Sequence, residues 1–262
     1  MTFDFPYLYL PETDSTNIQA MEVLSKTNPP NGFLVITDYQ TAGKGQYGRT
    51  WQSEAGKNLL FSLICQPSPI SLATVFRLHL ACSLALIDVL EPLSIPDLSI
   101  KWPNDLYAGT NKLGGILIQN IWKGTQLQWT VIGIGINVDQ EQFPPGLNAT
   151  SIRLETGDAP DRLALASRIR QQLMSFLSIS EESDWRHLQE RYQVHLFGIG
   201  RHLLFRNRSG LVFRALLEGV NPEGLLCLCL EDNRREQYGF GEIEWLPDPR
   251  SIVPGMESNH PF

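Results

Sequence analysis

The chain has 262 residues, 42% of them hydrophobic and 19% charged, with a formal net charge of -7. That length can bury a real core in one large domain, or in one domain plus a small one. The acidic balance argues against nucleic acid as the main partner, because nucleic-acid binders usually present a basic face.

The four cysteines, Cys65, Cys82, Cys227 and Cys229, are too few for a disulfide scaffold. Cys227 and Cys229 sit two apart in an apolar run without a second ligand pair, so buried thiols are expected rather than a metal site. The first ten residues lack a basic start followed by a long apolar stretch, so a signal peptide is not expected. No window reaches about eighteen uncharged apolar residues. The expectation is a cytoplasmic protein with no membrane partner.

In chain order, residues 7–10 read as a short strand. Asp14-Ser15-Thr16-Asn17 are helix N-cap types, and Ile18, Met21 and Leu24 carry a helix over 18–25. Asn28-Pro29-Pro30-Asn31-Gly32 ends it. Strands are predicted at 33–37 and 59–64, with a polar, glycine-spaced loop from 40 to about 57 between them. Residues 72–90 read as a long amphipathic helix stopped at Pro92. Strands follow at 98–101, 112–121 and 127–133, then helices at 162–177 and 184–192. After Gly198 the texture changes to short strands at 201–205, 211–218, 225–231 and 242–246, separated by turns such as Asn207-Arg208-Ser209-Gly210. Regular β-α-β alternation is missing, so the expected class is α+β. The expected division is a catalytic domain over 1–197, a small all-β domain over 198–250 and a tail over 251–262.

Four segments carry candidate chemistry. In the loop from Gln40 to Trp51, glycines let backbone N–H groups approach an anion, and Lys44 and Arg49 offer charge. The order of residues is not that of a Walker A loop. Lys101-Trp102-Pro103-Asn104-Asp105 packs a cation, an amide and a carboxylate at a strand end. Lys112 opens an apolar strand that continues through Gly114 and Gly115, and glycines inside a strand often mark close approach of a ligand or of backbone. Gly133-Ile134-Gly135-Ile136-Asn137 leaves one strand face bare, on which a flat ring such as adenine could lie. Each segment has a plain structural alternative: a flexible loop, a turn filled by Trp102, an edge-protecting lysine, or a weak G-x-G.

These segments, in this order behind Asp14-Ser15-Thr16-Asn17, resemble the biotin–protein ligase family, also called biotin–[acetyl-CoA-carboxylase] ligases. The family signatures are an (D/E)-S-T-N turn, a G-[RK]-G-x-x-G-R-x-W loop, K-W-P-N-D, K-[LIV]-x-G-I-L and G-[IV]-G-x-N. The resemblance is dense from about Leu10 to Val138 and returns at Gly239-Phe240-Gly241-Glu242-Ile243, similar to the family's last strand. It implies a mixed β-sheet catalytic domain packed with helices, plus a small C-terminal SH3-like β-barrel domain.

The resemblance also implies an activity. Biotin and ATP would form biotinyl-5′-AMP with Mg²⁺ assisting, and biotin would pass to a lysine of a biotin carboxyl carrier protein. Ser15, Thr16, Asn17 and Gln40 would meet the ureido end of biotin. Lys44, Gly45 and Gln46 would close over it, beside Gly114 and Gly115. Lys112 would contact the biotin carboxylate and the α-phosphate. Lys101 would bind phosphate, with Lys44, Arg49, Trp51, Asn104, Ile136 and Asn137 completing the ATP site. Asp105 would lie near the acceptor lysine and the metal, whose ligands stay unassigned. The catalytic set is thus Lys112, Lys101, Asp105 and Arg49.

Many relatives carry arginine where this chain has Gln46, so Lys44 or Arg49 is expected to supply the missing charge. The turn at Ser15 leaves no room ahead of it for the DNA-binding domain of bifunctional relatives, so a ligase without repressor function is expected. A homodimer is possible. The competing readings are a lipoate–protein ligase, whose R-R-x-S-G-G-G-like run is missing, and a non-catalytic biotin-binding sensor.

Overall fold

A computed structural model describes residues 3–67 and 70–246; the expected tail at 251–262 lies outside them. The chain divides into two compact units, Met1–Phe197 and Gly198–Phe262.

The first unit is built on a mixed sheet of β1 (Tyr7–Thr13), β2 (Phe33–Gln40), β3 (Asn58–Cys65), β4 (Leu98–Lys101), β5 (Asp105–Ala108), β6 (Asn111–Lys123) and β7 (Gln126–Asn137). Their spatial order is β1-β2-β3-β7-β6-β5-β4. β1 runs parallel to β2 and the other neighbours are antiparallel. All eight residues of β3 are buried, as expected of a strand covered on both faces.

Pairing register sorts the side chains. Ser62 and Leu117 lie opposite Gly133, Gly115 opposite Gly135, and Asp105 opposite both Gly115 and Lys101. All of these share one face. On the other face Phe61, Ile100, Leu106, Ile116, Ile134 and Ile136 are buried, because helices cover it. α2 (Arg77–Leu90) packs on the sheet and against α4 (Arg162–Leu177) and α5 (Glu182–Val194). Asp88 on α2 ties these helices together, accepting a 2.8 Å bond from Gln172 and pairing with Arg191.

α1 (Thr16–Lys26) covers β2, β3 and β7 on the first face. Ala20, Val35, Ile64 and Val131 form the seam there, flanked by Leu24 and Trp129. A short helix, α3 (Ile152–Thr156), follows β7.

Several expectations change. The helix predicted from residue 72 begins at Arg77, after a separate 3₁₀ turn closed by the Ser71–Thr74 capping box. It is not amphipathic: twelve of its fourteen residues are buried, since sheet and helices surround it. The stretch Leu72–Leu93 is long and apolar enough to cross a membrane by length and composition, yet here it packs as a core helix. β7 runs on through Asn137, and β5 and α3 were not foreseen. The β4 edge is also covered. Ile100 N–H donates to the His195 carbonyl and Phe197 N–H to the Ile100 carbonyl, both at 2.8 Å, so the segment after α5 adds a parallel bridge.

The second unit holds β8 (His202–Asn207), β9 (Val212–Val220), β10 (Leu226–Leu230), β11 (Arg235–Tyr238) and β12 (Ile243–Leu246). They form one antiparallel sheet in the order β11-β10-β9-β8-β12, with Phe205, Ala215, Leu217, Leu226 and Leu228 buried. The polar β11 was not predicted. Gly239 to Glu242 is a turn rather than a strand, with Glu242 N–H donating to the Gly239 carbonyl at 3.1 Å. Cys227 and Cys229, expected to be buried, are half-buried, whereas Cys65 and Cys82 are buried.

His79 on α2 donates to the Pro103 carbonyl, and its burial lowers its pKa from 6.5 to about 4. The folded state therefore holds the neutral ring while the unfolded chain binds a proton below pH 6.5. Stability is complete above that pH and falls as pH drops toward 4, by about 3 kcal/mol from this group. Urea unfolding of the wild type and His79→Gln at pH 7 and pH 4.5 should show a smaller acid loss in the variant. Equal losses would contradict the assignment.

Candidate active site

The sheet face bearing Gly133 and Gly135 has no side chains of its own on β7 at these two positions. Other parts of the chain fill the space. A Cβ on Gly133 would collide with the Oδ1 of Asn17, and one on Gly135 would sit 2.8 Å from the Trp51 indole. The bare face predicted for a flat ligand is thus occupied here by the protein's own Asn17 and Trp51.

Ser15, Thr16 and Asn17 are buried at 2%, 4% and 3% exposure. Ser15 is the N-cap residue of α1, yet its hydroxyl makes no capping bond. Gln40 Oε1 accepts from Thr16 N–H at 2.8 Å. Ser62 Oγ is hydrogen-bonded to Thr16 Oγ1 at 2.7 Å and to Asn17 Oδ1 at 2.6 Å. Asn17 Nδ2 donates to Gln119 Oε1 at 2.9 Å. Buried polar groups need such partners, and the network fixes the predicted turn and Gln40 as one unit. Ser62 and Gln119 were not predicted. A lone hydroxyl in the otherwise apolar run of β3 was the available signal.

Next to this network the sheet gathers charge. Lys112 Nζ pairs with Asp105 Oδ1 at 2.6 Å. Gly115 forms the floor beneath them: a Cβ there would lie 3.3 Å from Asp105 Oδ1 and 3.4 Å from Lys112 Nζ. The Lys112 ammonium also stands 5.7 Å from the centre of the Trp51 ring. Its backbone pairs with Tyr107 of β5, just past a register shift that skips Leu113. Lys112 N–H donates to Asn148 O at 3.0 Å, and Thr150 N–H donates to Lys112 O at 2.9 Å.

Lys101 Nζ donates to the Tyr107 hydroxyl at 3.2 Å and lies 4.7 Å from that ring's centre. Burial pushes the Tyr107 hydroxyl up to about 12, Asp105 adds to the rise, and Arg49 opposes it. Tyr107 was missed because β5 was missed; two residues after Asp105 in a strand, it shares that residue's face.

The remaining predicted residues have mixed placements. The loop Gly43–Trp51 is a small hairpin: Trp51 N–H donates to Gly43 O at 2.9 Å and Gly45 N–H to Arg49 O at 2.7 Å. Gln46 starts its 3₁₀ turn, and Tyr47, in the left-handed region at φ 54, turns it. Gly45 and Gln46 are half-buried, while Lys44 and Arg49 are exposed. Asn104 is spent on the fold, its Nδ2 donating to Ile116 O at 2.6 Å. Asn137 donates to Thr150 O at 2.9 Å and so braces the Lys112 backbone. Ile136 is fully buried on the helix-covered face, opposite Trp51, and Gly114 points to that side too, toward Ile136.

A mixed sheet whose glycine-bared face gathers a buried Ser-Thr-Asn turn, two lysines and a carboxylate is the candidate site. The model for the biotin/lipoate A/B protein ligase family matches residues 9–137. The biotin–[acetyl-CoA-carboxylase] ligase of Paracoccus denitrificans is 35% identical over 226 residues, covering 84% of this chain and 92% of that one. The bifunctional ligase/repressor BirA of Bacillus spizizenii is 31% identical over 238 residues, covering 88% and 71%. The structure of the Aquifex aeolicus biotin protein ligase in complex with biotin and ATP superposes with a TM-score of 0.77 at 25% identity, over 94% of this chain and all of that one. The chain belongs to the biotin/lipoate A/B protein ligase family, and the relatives it resembles are biotin ligases.

The packing of Asn17 on Gly133 is directly testable. Gly133→Ala should cost about 1–3 kcal/mol by overpacking, and Asn17→Ala in the same chain should recover part of it. Denaturant unfolding of the two single variants and the double checks this; strictly additive losses would rule out the contact.

Proposed function

We propose that the chain activates biotin with ATP to biotinyl-5′-AMP and transfers the biotin to a lysine of a carboxylase carrier protein. The convergence of Lys101, Lys112 and Asp105 on one sheet face, next to the buried Ser15-Thr16-Asn17 network, carries this reading.

The first step joins two anions. The biotin carboxylate attacks the α-phosphate in line and pyrophosphate leaves, so the site must supply fixed positive charge and exclude water. In this reading the ureido end of biotin lies against Ser15, Thr16, Asn17 and Gln40. Its carboxylate then reaches Lys112, whose ammonium faces the same side of the sheet. Lys101 holds phosphate. The hairpin Gly43–Trp51, with Lys44, Gly45 and Gln46, closes over the product and shields the mixed anhydride from hydrolysis. Trp51, Asn104, Ile136 and Asn137 serve the nucleotide site by contact or by bracing the strands that form it.

ATP arrives as its Mg²⁺ complex. Mg²⁺ is commonly held by one or two carboxylates plus substrate phosphates. Among the described residues no group of three His, Cys, Asp or Glu gathers to hold a metal, which fits an ion carried by the phosphates.

In the second step the acceptor lysine must lose a proton before its amine attacks the acyl carbon and AMP leaves. Asp105 is the candidate to position or deprotonate it. Here Asp105 is paired with Lys112. When the phosphoryl and carboxyl oxygens draw Lys112 away, Asp105 becomes available to the incoming amine, which orders the two half-reactions. The cytoplasm is the compartment this reading implies.

Gln46 brings no charge to the acyl-adenylate, and a neutral hydrogen bond is about half as strong as a charge-assisted one. Arg49, which lowers the Tyr107 hydroxyl's affinity for its proton from across the site face, is proposed ahead of Lys44 as the substitute. Arg49→Ala should increase the release of free biotinyl-adenylate, measured with labelled biotin, while Lys44→Ala changes it less. No increase in either variant would remove the idea.

The activity itself is tested with purified protein, radiolabelled biotin, ATP and a biotin carboxyl carrier domain. Label should transfer only with ATP, and Lys112→Met should reduce the rate at least about 100-fold, as expected when a charge acting on the transition state is lost. Transfer of lipoate instead, or binding of biotin without transfer, would overturn the proposal.

A further inference from the structure

Lys101 is not held by the sheet alone. Its Nζ donates to the Tyr107 hydroxyl at 3.2 Å, stands 4.7 Å from the centre of the Tyr107 ring and 6.0 Å from that of Phe197. The two rings meet each other, their centres 5.5 Å apart and tilted by 42°. Tyr107 reaches this position because β5 pairs with β4 in a register that sets Lys101 opposite Asp105 and Ser99 opposite Tyr107. Phe197 reaches it by a different route. It ends the segment that seals the β4 edge, and its own N–H donates to Ile100 O at 2.8 Å, one residue before Lys101.

A lysine side chain has four flexible torsions and a strongly hydrated head, so it holds a fixed position only when its surroundings define one. An aromatic face attracts the ammonium without neutralising it. A hydroxyl that stays protonated accepts a hydrogen bond and likewise leaves the charge intact. Tyr107 offers Lys101 both a ring face and a hydroxyl, and Phe197 a second ring face.

We infer that Tyr107 and Phe197 are positioning residues for the proposed reaction: they aim the Lys101 ammonium at a phosphate of the nucleotide. The inference rests on the proposed role of Lys101 as a phosphate ligand, and it assigns to the segment behind α5 a part in nucleotide binding that its distance in sequence does not suggest.

The test is steady-state kinetics of biotin transfer to a carrier domain, with ATP and biotin varied separately, in Lys101→Met, Tyr107→Phe, Phe197→Leu and the Tyr107→Phe/Lys101→Met double variant. Tyr107→Phe removes one oxygen and keeps the ring, so the fold should survive it. It should raise KM for ATP about fivefold and leave KM for biotin unchanged, an effect of the size of one hydrogen bond. Phe197→Leu should shift KM for ATP in the same direction. The double variant should be no worse than Lys101→Met alone, because the hydroxyl acts only through that ammonium. If Lys101→Met matches the wild type, the phosphate role of Lys101 falls and takes the inference with it. If Lys101→Met is impaired while Tyr107→Phe keeps its KM for ATP, or if the two losses multiply in the double variant, the inference alone falls.

Discussion

The ion pair between Lys112 and Asp105 is the contact on which the site depends. Each side chain keeps roughly a quarter of its surface exposed, so the pair adds little to stability. Its weight is in the site. A lysine proposed to receive an acid and a phosphate must be held close to the sheet, and Asp105 does this at 2.6 Å. The rest of the local architecture follows from allowing that contact. Gly115 leaves room beneath it, the register shift between β5 and β6 falls at Leu113, next to Lys112, and the 148–150 segment holds the Lys112 backbone N–H and carbonyl.

The same logic extends across the face. Removing side chains at Gly133 and Gly135 costs strand stability, and the space is used by Asn17 and Trp51. Asn17 is then held by Ser62 and Gln119, and Thr16 by Gln40. The helices on the opposite face make this possible. α2, buried nearly all round, supplies the apolar support that leaves the first face free to hold polar groups. The site face has an apolar seam of its own under α1, and the polar groups lie beside that seam.

Much of this was legible in the residues. The limits of α4 and β4 were read directly from apolar periodicity; short motifs at strand ends picked out Lys101, Asp105 and Lys112, while their membership of one site was an expectation from the family resemblance. What escaped had physical reasons. β5 is four residues long between Asn104 and Gly109, so turn-forming residues masked it, and Tyr107 was lost with it. β11 is Arg-Glu-Gln-Tyr, an edge strand whose polarity hides its extended shape. The bare face of β7 was read correctly as bare, but a strand pattern cannot show that Trp51, from a distant hairpin, occupies it. Ile136 was placed at the nucleotide although strand alternation already turned it to the other side. Phe197 had no local signal at all, since its position depends on how the segment behind α5 meets the β4 edge.

The central claim is that fixed positive charge on this face recognises the acyl-phosphate junction. The direct measurement is calorimetric titration of a non-reactive biotinyl-adenylate analogue and of neutral biotin amide into the wild type and Lys112→Met. The account predicts that the substitution weakens the phosphate-bearing analogue by at least about tenfold more than the neutral amide, the size expected of a charge-assisted contact. Equal losses for the two ligands, or no loss for the analogue, would contradict it.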